Sequence, residues 1–272
     1  MTKTFGDLLN RVREKKPLVH HITNYVTATD CANVTLGTGA SPVMADAIGE
    51  VDDITAISNA LVLNMGTLNE RTIPSMLAAG KAANTKNIPV VFDPVGAGAS
   101  KLRNDTATSI ISEVKLAVLR GNISEIKFAA GLGANTKGVG ASESDISAAC
   151  DSGSIAKTLA KKLNCIVVIS SAVDIISDGE KIAYVENGNE MMANITGTGC
   201  MCSSLLGSFC GAAREDLFAA AAAAMLSMSI SGELAFEKAG HLGNGSFRVA
   251  LLDAIANLDA QTLERRAKYR EV

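Results

Sequence analysis

Residues 90–99 read Val90-Val91-Phe92-Asp93-Pro94-Val95-Gly96-Ala97-Gly98-Ala99: three apolar residues, an acid, then a loop of proline, glycine and alanine. A short apolar run closed by a carboxylate suits a strand buried on both faces that delivers a polar group to the carboxyl edge of a parallel sheet. The pattern recurs at Leu61-Val62-Leu63-Asn64 and at Ile166-Val167-Val168-Ile169-Ser170, and residues 174–177 and 181–185 read as an edge pair. Helical spacing fills the intervals at 73–85, 106–120, 144–163, 200–213 and 217–236, after a surface helix from Thr4 to Lys16 that Pro17 stops. This alternation predicts an α/β layered sandwich, with a mostly parallel central sheet and helices on both faces. Asn64, Asp93 and Ser170 stand where such sheets bind ligands.

Composition narrows the function. The chain has 272 residues, 47% hydrophobic and 19% charged with five prolines, which supplies a sizeable core and excludes disorder. No linker or internal repeat divides it, so residues 1–272 are expected to form a single domain. A net charge of −3, from 25 basic and 28 acidic residues, lacks the basic excess of a nucleic-acid or anionic-lipid partner. Six cysteines without a C-x-x-C pair and three histidines suggest neither a zinc cluster nor a disulfide framework. Residues 1–16 mix charges with isolated apolar residues, unlike the continuous apolar core of a secretory signal, and a reducing, cytoplasmic location is expected. The uncharged stretch 191–213 matches a membrane span in length, but four glycines and several hydroxyl residues favour a buried loop and helix.

Thr196-Gly197-Thr198-Gly199-Cys200 runs into a small-residue helix. Glycines before a helix let successive N–H groups converge on an anion, giving an anion hole over Gly197, Thr198, Gly199 and Cys200, although the same glycines could simply make a tight turn. At the helix start the thiol of Cys200 is expected below its ordinary value, as a reactive cysteine would be. Arg120-Gly121-Asn122-Ile123-Ser124-Glu125 offers a cation, an amide and a carboxylate suited to phosphate and a hard cation, or else a helix cap. Asp93 could orient Mg²⁺ or cap a loop. Met44, after Pro42, could offer backbone groups and a soft sulfur to a heteroaromatic ring. His20 and His21 are adjacent, face opposite ways in extended backbone, and read as structural. Neither a Walker A loop nor a G-x-G-x-x-G fingerprint is present: Gly131-Leu132-Gly133 and Gly138-Val139-Gly140 have the wrong spacing.

In their order, PLVHHITN, GASPVM, LVLNMGTL, VVFDPVGAGAS, RGNISEI and ITGTGC resemble the hydroxyethylthiazole kinases, over about Pro17 to Phe247. The resemblance implies a ribokinase-like fold and transfer of the ATP γ-phosphoryl group to the primary alcohol of 4-methyl-5-(2-hydroxyethyl)thiazole in thiamine biosynthesis and salvage. It also implies Mg²⁺ and a homotrimer with active sites near subunit interfaces. Carried over by motif, Met44, Gly197 and Asn24 bind the thiazole, and Arg120, Ser170 and Asn122 bind ATP. Glu125 and Asp93 serve the metal, and Cys200 stands where the wider superfamily has an aspartate base, as base or orienter. Ser170 replaces a common threonine but keeps the hydroxyl, and His21, Thr29 and Asp46 are unusual for their segments. Three other readings remain at this stage: a kinase of another small alcohol such as a hydroxymethylpyrimidine, a Cys200-dependent hydrolase or acyltransferase with a histidine base, and a non-catalytic binding module.

Overall fold

The computed structural model describes residues 4–132 and 149–272. The strands are β1 (Leu18–Ile22), β2 (Ser41–Met44), β3 (Ala60–Asn64), β4 (Val90–Asp93), β5 (Val118–Gly121), β6 (Ile166–Ile169), β7 (Asp174–Ser177), β8 (Ile182–Val185) and β9 (Tyr269–Glu271). They form one sheet in the order β2-β1-β3-β4-β5-β6-β7-β8-β9. Pairs from β2 to β6 are parallel, and β6 to β9 are antiparallel. Crossovers between parallel strands leave every carboxyl end at one edge, which builds the site there.

Alternate strand residues serve two cores. Val19, Val62, Val91 and Val168 pack with Leu205, Phe209 and Leu226 from the helices Thr198–Ala212 and Leu217–Ala239. Leu61, Leu63, Phe92 and Leu119 pack on the other face with Met76 and Ile110, from the helices Thr72–Thr85 and Lys101–Glu113. Burial on both faces explains why β3, β4 and β6 read as unbroken apolar runs. The helix Phe5–Lys15 begins with a reciprocal Thr4–Asp7 capping box and ends at Lys16 in the left-handed region.

The expected helix over 106–120 is corrected. Lys101–Glu113 is helical, Val114 turns extended, and Val118–Gly121 is the central strand β5; Val118 and Leu119 bury on opposite faces, which a helix cannot do. The expected edge pair is interior, because β9 covers β8. Of the helix expected over 144–163, the stretch from Ala149 is described; its start, Gly133 and the Gly138-Val139-Gly140 motif lie outside the described residues. The uncharged stretch begins inside a 3₁₀ turn, Glu190–Asn194, and contains the buried helix Thr198–Ala212. Residues 217–242 are long and apolar enough to cross a membrane, yet 72% of their 18-residue apolar window is buried inside the fold, as in a core helix.

Candidate active site

The register places Asn64 beside Asp93 at the ends of β3 and β4, and Cys200 enters from the first turn of the helix Thr198–Ala212. Asn64 Nδ2 donates to Asp93 Oδ2 at 2.9 Å and to Cys200 Sγ at 3.3 Å. Asn24 Nδ2 donates to Asn64 Oδ1 at 2.9 Å and to Cys200 Sγ at 3.2 Å. Asn24 Oδ1 accepts from the N–H and hydroxyl of Thr27, both at 3.0 Å, and Ser203 Oγ donates to Asp93 Oδ2 at 2.7 Å. The thiol sulfur therefore accepts from two fixed amides, and its own proton stays available to point elsewhere.

From β5, Arg120 pairs with Asp93 at 3.4 Å and donates from Nε to Ser170 Oγ at 2.9 Å. Gly197 sits at φ +90°, and a Cβ there would stand 2.5 Å from Thr27 Cγ2; a Cβ on Gly199 would stand 2.8 Å from Arg120 Nη1. Glycine is thus needed at 197 for backbone conformation and at 199 for the close approach of a guanidinium. The first intrahelical bond runs from Met201 N to Gly197 O, so the N–H groups of residues 198–200 precede the helix ladder, as an anion site needs. Asn122 and Glu125 form a capping box for the helix Ile123–Ala129. Glu125 is buried and accepts from Gly96 N and Asn122 N, both at 2.8 Å; it forms the helix cap that the motif allowed, buried inside the site.

Electrostatics follow from burial. Burial raises the Asp93 pKa against the pull of Arg120, and burial followed by the charge of Asp93 pushes Glu125 up to about 7. Arg120 remains a cation, because its carboxylate neighbours outweigh its desolvation. The expectation of a depressed Cys200 pKa is overturned: burial, then the nearby Asp93 carboxylate, push the thiol up. Asp93 Oδ1 is buried without a hydrogen-bond partner among the described residues.

Two cavities flank this cluster. The smaller, of about 260 Å³, is lined by Asn24, Asn64, Met44, Tyr25, His21 and Met76 among others. The larger, of about 500 Å³, is lined by Arg120, Ser170, Thr198, Gly199, Asp174 and Met225 among others. The residues expected from sequence therefore converge on one edge. Met44 closes strand β2. His20 Nδ1 and Nε2 meet Thr55 and Ala45 at 2.9 and 2.7 Å, and His21 Nδ1 meets Val19 O at 3.0 Å. Described contacts thus give Cys200 two asparagines and no histidine, which removes the base that a cysteine hydrolase needs. Ser203 and Thr27 were missed because they lie inside a small-residue helix and a turn, where no spacing marks them. Asn64 was visible only as a strand terminus.

The Hydroxyethylthiazole kinase family profile matches residues 9–261. The chain belongs to this family. It is 60% identical to the hydroxyethylthiazole kinase of Clostridium beijerinckii, covering 98% of this chain and 97% of that one. Against its Ruminiclostridium cellulolyticum namesake it is 56% identical over 100% and 98% of the two chains. The hydroxyethylthiazole kinase structure from Pyrococcus horikoshii superposes with TM-score 0.88 at 37% identity, covering 98% of each chain. The Staphylococcus aureus pyridoxal kinase in complex with ADP is similar in fold, with TM-score 0.60 at 14% identity over 80% and 88% of the two chains. A ribokinase-like superfamily protein from Enterococcus faecalis has the same TM-score of 0.60 at 11% identity over 93% and 89%. The family separates the chain from a non-catalytic module and from the cysteine-hydrolase class, and the fold is ribokinase-like.

Proposed function

We propose that residues 1–272 act as one kinase domain that transfers the ATP γ-phosphoryl group to the hydroxyl of 4-methyl-5-(2-hydroxyethyl)thiazole, in thiamine biosynthesis and salvage. The observation that carries this reading is the pair of unequal cavities on either side of the Asn24–Asn64–Cys200–Asp93 cluster: Asn24 and Asn64 line the smaller, and Arg120, which pairs with Asp93, lines the larger with Thr198 and Gly199. The smaller, walled by Met44 and Met76, suits a small apolar ring, and the larger suits a nucleotide.

The anion hole and Arg120 would face the phosphates, with Ser170 holding the guanidinium by its Nε and Asp93 by its Nη1, so that Nη2 is the nitrogen turned to the cavity. Gly197 and Thr27 fix the turn that aims those N–H groups. Asn122 serves the nucleotide by anchoring Glu125 in its buried place. Phosphoryl transfer has a loose transition state, so alignment and charge stabilisation supply most of the rate. Cys200, held between two amides and with a raised pKa, acts in this reading as the group that aligns the alcohol rather than as a strong base.

Mg²⁺ fits the residues present. Arg120 is the one cationic side chain lining the larger cavity among the described residues, too little for a triphosphate, while Asp93 and Glu125 resist ionisation together and Asp93 Oδ1 lacks a partner. Asp93 and Glu125 would hold the ion directly or through water, and when bound it would offset phosphate charge. A homotrimer is supported by apolar Tyr25, Val26 and Met44, exposed by 81%, 55% and 40% at or beside the smaller cavity. A cytoplasmic location fits five described cysteines, all free.

The test is ADP release by purified protein with Mg²⁺ and ATP, with and without the thiazole alcohol, and the product mass. Thiazole-dependent release with a monophosphate product is expected; release that ignores the alcohol would overturn the reading.

A further inference from the structure

Asp174 opens β7, and because β7 runs antiparallel to β6 its side chain lies at the same sheet edge as Ser170. It is 7% exposed and lines the larger cavity with Cys202, Met225, Met228 and Ser229. Its Oδ1 accepts from Ser171 N at 3.0 Å, which accounts for one oxygen as the cap of a turn. Its Oδ2 meets Ser229 Oγ at 3.4 Å, the long end of a hydrogen bond. An ionised carboxylate has about four acceptor sites, so most of the capacity of Oδ2 is unused beside the cavity. Burial pushes this carboxyl up to about 6, a cost that an additional donor would offset.

A nucleoside triphosphate offers few donors. Its phosphates are anionic and its ring nitrogens accept, which leaves the exocyclic amino group of the base and the ribose hydroxyls. We infer that Asp174 is a specificity-determining residue that accepts a hydrogen bond from one of these nucleoside donors, with the methionine thioethers packing beside it. This rests on the larger cavity being the nucleotide site.

The experiment compares kcat/KM for ATP, ITP and 2′-deoxy-ATP, with the thiazole alcohol saturating, in the wild type and in Asp174→Asn, whose amide oxygen can still cap Ser171. A charged hydrogen bond predicts that the wild type prefers ATP about tenfold to a hundredfold over one analogue. The asparagine variant should reduce that preference to about threefold or less. Loss of discrimination against ITP assigns the contact to the base, and loss against 2′-deoxy-ATP assigns it to the ribose. Unchanged ratios for both analogues in the folded variant overturn the inference. If the variant does not fold, equal use of all three nucleotides by the wild type overturns it. Absence of thiazole-dependent turnover with ATP in the wild type is instead the failure of the kinase reading.

Discussion

Cys200 is defined by what donates to it. Two asparagine amides at 3.2 and 3.3 Å make the sulfur an acceptor, and burial beside Asp93 keeps the thiol protonated near neutrality. Cys200→Ala should lower kcat about ten- to a hundredfold while the KM for ATP changes less than about threefold, and Cys200→Ser should recover part of the loss; steady-state kinetics decide. A strong-base role would instead give the serine variant no advantage. Asp174 has a separate signature in stability. Its pKa rises from 3.8 unfolded to about 6 folded, so the stability it lends is complete below the unfolded value and is lost as pH climbs through 6. The melting temperature of Asp174→Asn relative to wild type should therefore rise between pH 4 and pH 7, measured by thermal unfolding across that range; a flat difference would contradict the burial cost.

The turn into the helix Thr198–Ala212 joins conformation to recognition. Gly197→Ala forces a methyl group against Thr27 Cγ2 in left-handed backbone, at a cost of about 1–3 kcal/mol. A lower melting temperature and a raised KM for the alcohol are expected together, because Thr27 also holds Asn24. The elements were unequally legible. β3, β4 and β6 announced themselves because both faces are buried, and their polar ends marked Asn64, Asp93 and Ser170. β1 and β2 were hidden by His20, His21 and Pro42, residues whose strand fit depends on tertiary partners such as Thr55 and Ala45. β5 was hidden because Ile110, Val114 and Val118 continue a four-residue spacing across the helix end. The cradle of glycines was readable as a motif, whereas the raised Cys200 pKa was not, since it depends first on burial in the folded chain and then on Asp93, more than a hundred residues away in the chain.

At the scale of the molecule, Tyr25, Val26 and Ile48, exposed by 81%, 55% and 59%, bring apolar surface to the neighbourhood of the smaller cavity. Sedimentation is expected to give about three times the 28.1 kDa chain mass, and Val26→Asp should shift it toward the monomer and raise the KM for the alcohol. A monodisperse monomer that turns over normally would contradict a shared site. The helix Phe5–Lys15 has a different consequence. Its buried Leu8, Leu9 and Val12 pack largely against the helices Thr198–Ala212, Leu217–Ala239 and Ala260–Arg266, and the Phe5 ring meets Tyr269 at 4.9 Å. A ribosome releases the first of these segments long before the last, so the opening helix leaves the exit tunnel with its apolar stripe uncovered and waits for nearly the whole chain. A chain stalled before residues 198–266 emerge leaves that stripe without the helices that cover it.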